Sequence, residues 1–235
     1  GKTCFIQEWG VGNGNLAACF LSHLKSIDRE GRVYPRVRYA LCDYSSEILK
    51  AALSHPQLRE HAGHFAAIRV DAENLACFKP GSVHKIISNE IWDDLATKVL
   101  LKDGDLLYEE YLLPSLDPRH TPIDFEEFKQ LFAGKKLSQL AQLPPFLDKI
   151  VWERSWQRVD IGDWPHAEVL EKHVGLLADR IPVPINTGAF AALRKARELL
   201  HENAPGYSGM DYGMFSLDDL NRPGRPYFNL YGGQY

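Results

Sequence analysis

The first two dozen residues restrict the fold more than any other stretch. Thr3-Cys4-Phe5-Ile6-Gln7-Glu8-Trp9 is a short apolar run that ends on Gly10, Gly12 and Gly14. From Asn15 to about Ser26 the apolar residues Leu16, Ala17, Cys19, Phe20, Leu21 and Leu24 recur with helical period. A strand that feeds a helix through a glycine turn is the opening unit of an α/β domain. The alternation continues. Val37–Cys42 predicts a second strand, and Asp43-Tyr44-Ser45-Ser46 offers N-cap chemistry for a helix through Leu53. Phe65–Val70 and Val83–Ser88 predict a third and a fourth strand. Strands interleaved with helices in this way imply a parallel, Rossmann-like sheet with helices on both faces.

The middle of the chain breaks that rhythm. Lys98–Leu101 and Leu106–Tyr108 flank Lys102-Asp103-Gly104-Asp105, a β-hairpin signal. Pro114 to about Ile185 then reads as a mainly helical insertion, with helical patterns around Phe125–Phe132, Leu137–Leu143 and Ala167–Ala178. Its Trp152, Trp156 and Trp164 suit either a small core or a cap that shapes a cleft. A helix from Thr187 to about Glu202 and a fifth strand, Tyr207–Met210, lead back to the core. The expected division is therefore a cofactor-binding α/β core over 1–113, a helical cap over 114–185, and a return to the core over 186–235.

Composition excludes several classes. With 45% apolar and 25% charged residues and a net charge of −4, the chain is neither disordered nor a generic nucleic-acid binder. No apolar run reaches the roughly 18–20 residues that span a bilayer, so no membrane partner is expected. The four cysteines lie at least 15 residues apart, which gives no zinc spacing and suits reduced thiols in a reducing compartment. His61 and His64 are the one close histidine pair considered for a metal. The surrounding Arg59–His64 segment reads as an exposed helix end, and no metal is expected.

Chemistry concentrates at the glycine turn. Glycines let the backbone turn sharply and come close to a ligand, and the following helix N-terminus adds oriented N–H groups. The pattern Glu8-Trp9-Gly10-Val11-Gly12-Asn13-Gly14 is G-x-G-x-G, not the G-x-G-x-x-G of dinucleotide sites, and it lacks the Lys-Ser/Thr of a phosphate loop. An acid two residues before the first glycine repels a pyrophosphate and suits a ligand bearing an ammonium and a sulfonium. That points to S-adenosylmethionine over NAD or ATP. Asp43, at the end of the second strand, is placed to accept bonds from both ribose hydroxyls; read structurally, it only caps the next helix. Asp71-Ala72, after the third strand, is placed to meet the adenine amino group, and a plain surface turn is the competing reading.

These residues resemble a known family. E-x-G-x-G-x-G after the first strand is the glycine signature of class I S-adenosylmethionine-dependent methyltransferases. Tyr39-Ala40-Leu41-Cys42-Asp43-Tyr44-Ser45, Ser88-Asn89-Glu90-Ile91-Trp92-Asp93-Asp94-Leu95 and Asp211-Tyr212-Gly213 are similar to segments of its MidA-like branch. That branch includes the mitochondrial complex I assembly arginine methyltransferase. The matches, with the acidic hairpin around Glu109 and Glu110, spread over residues 3–213. Two departures stand out: the family usually has Glu where this chain has Asp43, and Pro where Ala96 stands.

The resemblance implies a cofactor set of Glu8, Gly10, Gly12, Gly14, Asp43, Ser45, Asp71, Ala72 and Asn89. It also implies a protein arginine as methyl acceptor, oriented by the acids Glu90 and Asp93. Transfer from a sulfonium is an in-line displacement, so positioning dominates. A guanidinium is protonated and delocalised, and carboxylates can orient it and accept its proton. The competing readings are a non-catalytic assembly scaffold that keeps the fold, a solvated helix start at Asp93-Asp94, and a nicotinamide oxidoreductase, which the glycine spacing and Glu8 disfavour. The compartment implied is the cytoplasm, or by family analogy the mitochondrial matrix. Five core strands with only a short tail after Gly213 lead us to expect a piece of a longer protein, possessing the core but lacking the last strands of a seven-stranded sheet.

Overall fold

The computed structural model describes residues 2–164, 166–213 and 216–224. In chain order the core opens with β1 (Cys4–Trp9), α1 (Asn15–Ile27), β2 (Val37–Asp43), α2 (Ser46–Leu53), α3 (Pro56–Arg59), β3 (Phe65–Arg69) and β4 (Lys85–Asn89). The middle comprises β5 (Lys98–Asp103), β6 (Leu106–Ser115), α4 (Phe125–Ala133), α5 (Leu137–Leu140), β7 (Val151–Arg158), α6 (Ala167–Val174) and β8 (Val183–Ile185). The chain returns through α7 (Thr187–Leu199), β9 (Tyr207–Met210) and α8 (Leu217–Leu220).

Five strands pair in parallel in the order β3-β2-β1-β4-β9. The order reverses direction at β1, so β1 and β4 flank a crevice at their C-terminal ends, the usual ligand position in open α/β sheets. Period-two alternation sends Ile6 of β1 toward α1, α2 and α3, where it packs with Leu21, Tyr39, Leu41, Ala52 and Leu58. Trp9, Ala40, Cys42 and Ile86 pack on the opposite face against Ala192, Ala196 and Leu199 of α7. Each of these side chains is almost wholly buried, and a large buried aliphatic or aromatic side chain contributes about 1.5–3 kcal/mol. Helices therefore cover both faces of the predicted parallel sheet.

The predicted hairpin does not belong to that sheet. β5 and β6 join β7 and β8 in a separate antiparallel sheet of order β7-β6-β5-β8. The cap thus carries two strands the helical reading missed, β7 and β8, and Trp152 and Trp156 lie on β7. Most of β7 is exposed, so it lacks the apolar alternation that marks a half-buried strand. A small core of Leu100, Ile161, Trp164 and Leu170 holds this sheet to α6.

His61 also departs from expectation. It is buried, not a solvated helix end: its Nε2 lies 2.9 Å from Ser22 Oγ and its Nδ1 2.7 Å from Tyr34 Oη. Both ring nitrogens are used in holding α1 to the loop before β2. Burial, seconded by Lys25, lowers its pKa. Among the described residues no group of three or more His, Cys, Asp or Glu side chains is arranged to hold a metal ion, and no helix is long and apolar enough to cross a membrane.

Candidate cofactor site

The glycine turn extends the β1–β2 pairing by one bond, from Gly10 N–H to the Cys42 carbonyl at 2.9 Å. Gly10, Gly12 and Gly14 all have left-handed φ values, of 70°, 50° and 81°. The reasons for glycine differ. A Cβ on Gly10 would stand 2.1 Å from Ile91 Cγ2, and one on Gly14 would stand 3.1 Å from the Ala52 carbonyl oxygen. A Cβ on Gly12 would meet nothing within 4 Å. Gly10 and Gly14 are set by packing, and only Gly12 opens its backbone to the crevice. Gly14 is the N-cap of the 13-residue α1 and provides no side-chain cap, so the positive end of that helix dipole stands beside Gly12.

Glu8 does not present a charge at the turn. Counting by twos from Ile6 puts it on the face covered by α1 and α2, where it is 2% exposed and accepts a 2.8 Å hydrogen bond from the Tyr39 hydroxyl. Burial pushes its carboxyl up to about 7, against the opposing effect of that hydrogen bond. Its burial leaves Glu8 without the exposed charge that the expected repulsion of phosphates calls for.

Other carboxylates stand at the neighbouring strand ends. Asp43 ends β2, is buried, and accepts the Ser45 N–H at 2.8 Å. Ser45 in turn caps α2 through its hydroxyl, which accepts the Ile48 N–H at 3.3 Å. The shorter Asp, where the resembled family has Glu, suits this local turn. Beyond β4, desolvation and then the neighbouring charges of Asp93, Asp43 and Asp211 raise the pKa of Asp94. Carboxylates from three strand ends thus converge at one edge of the sheet, an environment that favours a cation.

The Asn89–Asp94 turn forms the opposite wall. Asn89 closes β4 opposite Met210, and Glu90 N–H donates to the Met210 carbonyl at 2.8 Å. Glu90 is exposed and held at a φ of 50°, a conformation that costs a non-glycine residue about 1 kcal/mol. Asp93 is exposed as well. Asp71 caps its own turn, its carboxylate accepting the Glu73 N–H at 2.8 Å and its carbonyl the Asn74 N–H at 2.9 Å. Ala72 packs at the edge of the α7-side core. Two contributors were not among the predicted site residues: Asp211, which entered only through the Asp211-Tyr212-Gly213 resemblance, whose carboxylate accepts the Trp92 N–H at 2.9 Å, and Asn186, whose amide donates to the Trp92 carbonyl.

No family model matches the chain, and no curated protein matches it. Solved structures do. One is a superfamily member from Burkholderia thailandensis, inferred to be a methyl transferase and crystallised with S-adenosyl-homocysteine bound. It is 18% identical, with a TM-score of 0.53 over 90% of this chain and 42% of its own. An uncharacterized protein of the same superfamily and organism is 17% identical, with a TM-score of 0.55 over 94% of this chain and 46% of its own. The likeness establishes the fold, a Rossmann-like α/β fold of the class I methyltransferase kind. The chain spans under half the length of either structure.

Proposed function

We infer that the crevice binds S-adenosylmethionine and that the chain belongs to the catalytic part of a methyltransferase acting on protein, with an arginine side chain as acceptor. The observation that carries this reading is Gly12, a left-handed glycine with open space around it, set between the N-terminus of α1, where Asn13 accepts the Asn15 N–H, and converging carboxylates. The bound adenosyl ligand in a structure of the same fold supports it.

The residues fit that cofactor. Gly12 leaves room for close approach, Asp43 would hold the ribose hydroxyls, and Asp71 and Ala72 would border the adenine. An ionised carboxylate accepts at about four lone-pair positions, so Asp43 keeps capacity beyond its bond to Ser45. Asn89 would line the wall toward the methionine moiety. When bound, the cofactor supplies an electrophilic methyl group. Glu90 and Asp93 would orient the incoming guanidinium, localise its charge and take up its proton. Calorimetry with S-adenosylmethionine, S-adenosyl-homocysteine and NADH tests the reading: micromolar binding of the adenosyl ligands is expected. A folded chain that binds neither overturns it.

A further inference from the structure

The backbone of Trp92 is held by side chains from two distant places. Its N–H donates to Asp211 Oδ2 at 2.9 Å, and its carbonyl accepts from Asn186 Nδ2. Asn186 does two things at once. Its Oδ1 caps α7 by accepting the Ala189 N–H at 2.7 Å, while its Nδ2 reaches the turn that follows β4. The surrounding stitches are dense. Ala96 N–H donates to Glu73 Oε1 at 2.9 Å, and the Ala96 carbonyl accepts from Gly188 N–H at 2.8 Å and Thr187 Oγ1 at 3.1 Å. A proline at position 96 would have no N–H for Glu73.

The placement of Asn186 gives this bond a consequence. Asn186 directly follows β8, and β5 begins just after the Asn89–Asp94 turn; the two strands pair with Lys98 opposite Ile185. The antiparallel sheet therefore leaves the core and returns to it side by side, and Asn186 ties the return point to the wall of the crevice. Ile91 of that wall sits on Gly10, so a shift of the wall reaches the glycine turn directly.

We propose that Asn186 is a positioning residue of the cofactor site: its amide locks Trp92, and through Trp92 holds the Asn89–Asp94 turn and Glu90's left-handed backbone in the geometry the crevice needs. The proposal rests on the cofactor reading above. It couples the antiparallel sheet to the site, because any movement of β8 acts first on Asn186.

Asn186→Asp isolates the amide. Aspartate caps a helix as well as asparagine, but it removes the donor and sets an oxygen against the Trp92 carbonyl. The expected result in hydrogen exchange is preserved protection of Ala189 N–H with exchange at Glu90 and Trp92 N–H faster by about tenfold. Affinity for S-adenosyl-homocysteine should fall by about fivefold or more. In Asn186→Ala, Ala189 also loses protection while Glu90 and Trp92 fare no worse than in Asn186→Asp. A purely capping role predicts the reverse order. Unchanged exchange at Glu90 and Trp92 overturns the proposal, and so does faster exchange with unaltered affinity. The exchange experiment needs no ligand: a wild-type chain that does not bind S-adenosyl-homocysteine retires the cofactor reading, while exchange in Asn186→Asp still decides whether the amide locks the turn.

Discussion

Alanine at Gly10 and at Gly12 should have unequal consequences, although the two glycines share one motif. Both have positive φ, and that alone costs alanine about 1 kcal/mol. At Gly12 nothing else is added, because the new Cβ meets no atom within 4 Å. At Gly10 the Cβ would lie 2.1 Å from Ile91 Cγ2, well inside contact distance, and Ile91 is itself buried. A β-branched side chain has few rotamers with which to escape, so the collision adds an overpacking cost of about 1–3 kcal/mol. Gly10→Ala should therefore lose about 2–4 kcal/mol. At roughly 2–4 °C per kcal/mol for a chain of this size, its melting midpoint should drop by about 5–15 °C. Gly12→Ala should fall by only about 2–4 °C. Thermal unfolding followed by circular dichroism separates the two directly. If Gly12→Ala melts as low as Gly10→Ala, or Gly10→Ala matches wild type, the assignment of one glycine to packing and the other to the crevice is wrong.

Other substitutions test the rest of the site. Gly12→Val should stay folded and lose measurable affinity for S-adenosyl-homocysteine in calorimetry, and retained affinity would place the cofactor elsewhere. Asp43→Asn keeps an acceptor for the Ser45 N–H, so its stability should match wild type while adenosyl-ligand affinity drops by about tenfold. Glu8 has its folded-state pKa raised from 4.5 to about 7, so the unfolded chain ionises first as pH rises. The stability it contributes is complete below pH 4.5 and is lost as pH rises through about 7, by about 3 kcal/mol in all. Glu8→Gln still accepts from Tyr39 and should remove that slope in urea titrations between pH 5 and pH 8; a slope equal to wild type would mean another group is responsible. Glu90→Gly should stabilise the fold by about 0.5–1 kcal/mol by relieving the left-handed backbone. Methyl transfer should be lost in the same variant, and a fall in its melting midpoint would contradict the strain.

What the sequence made legible follows from local periodicity. The five parallel strands and the glycine turn were readable because each carries its own signal, two-residue or helical alternation next to a glycine or N-cap. The side of the sheet taken by Glu8 was readable too, by counting in twos from Ile6, although charge alone suggested an exposed acid. The second sheet was not. β7 runs Val-Trp-Glu-Arg-Ser-Trp-Gln-Arg, and with both faces largely exposed it has no alternation to betray a strand. The Asn186–Trp92 and Asp211–Trp92 bonds join residues 94 and 119 positions apart, and local periodicity gives no sign that these residues meet.

Glu8's burial shifts the electrostatic argument and strengthens it. Buried beneath the sheet with its carboxyl pushed up to about 7, Glu8 is poorly placed to select a ligand by charge, so a preference for a cation would rest on Asp43, Asp93, Asp94 and Asp211, which arrive on three different segments. Bringing them together costs repulsion, and the fold tolerates it because the edge is open to water at Asp93 and Asp94 and because backbone N–H groups satisfy Asp43 and Asp211. A cation that enters the crevice relieves that repulsion, whereas a pyrophosphate adds to it. S-adenosylmethionine should accordingly bind more tightly than the uncharged-sulfur product S-adenosyl-homocysteine at low salt, and the gap should narrow as ionic strength rises. Calorimetry of both ligands at low and high salt reads it. Equal salt dependence for the two would remove the sulfonium from the charges this edge recognises.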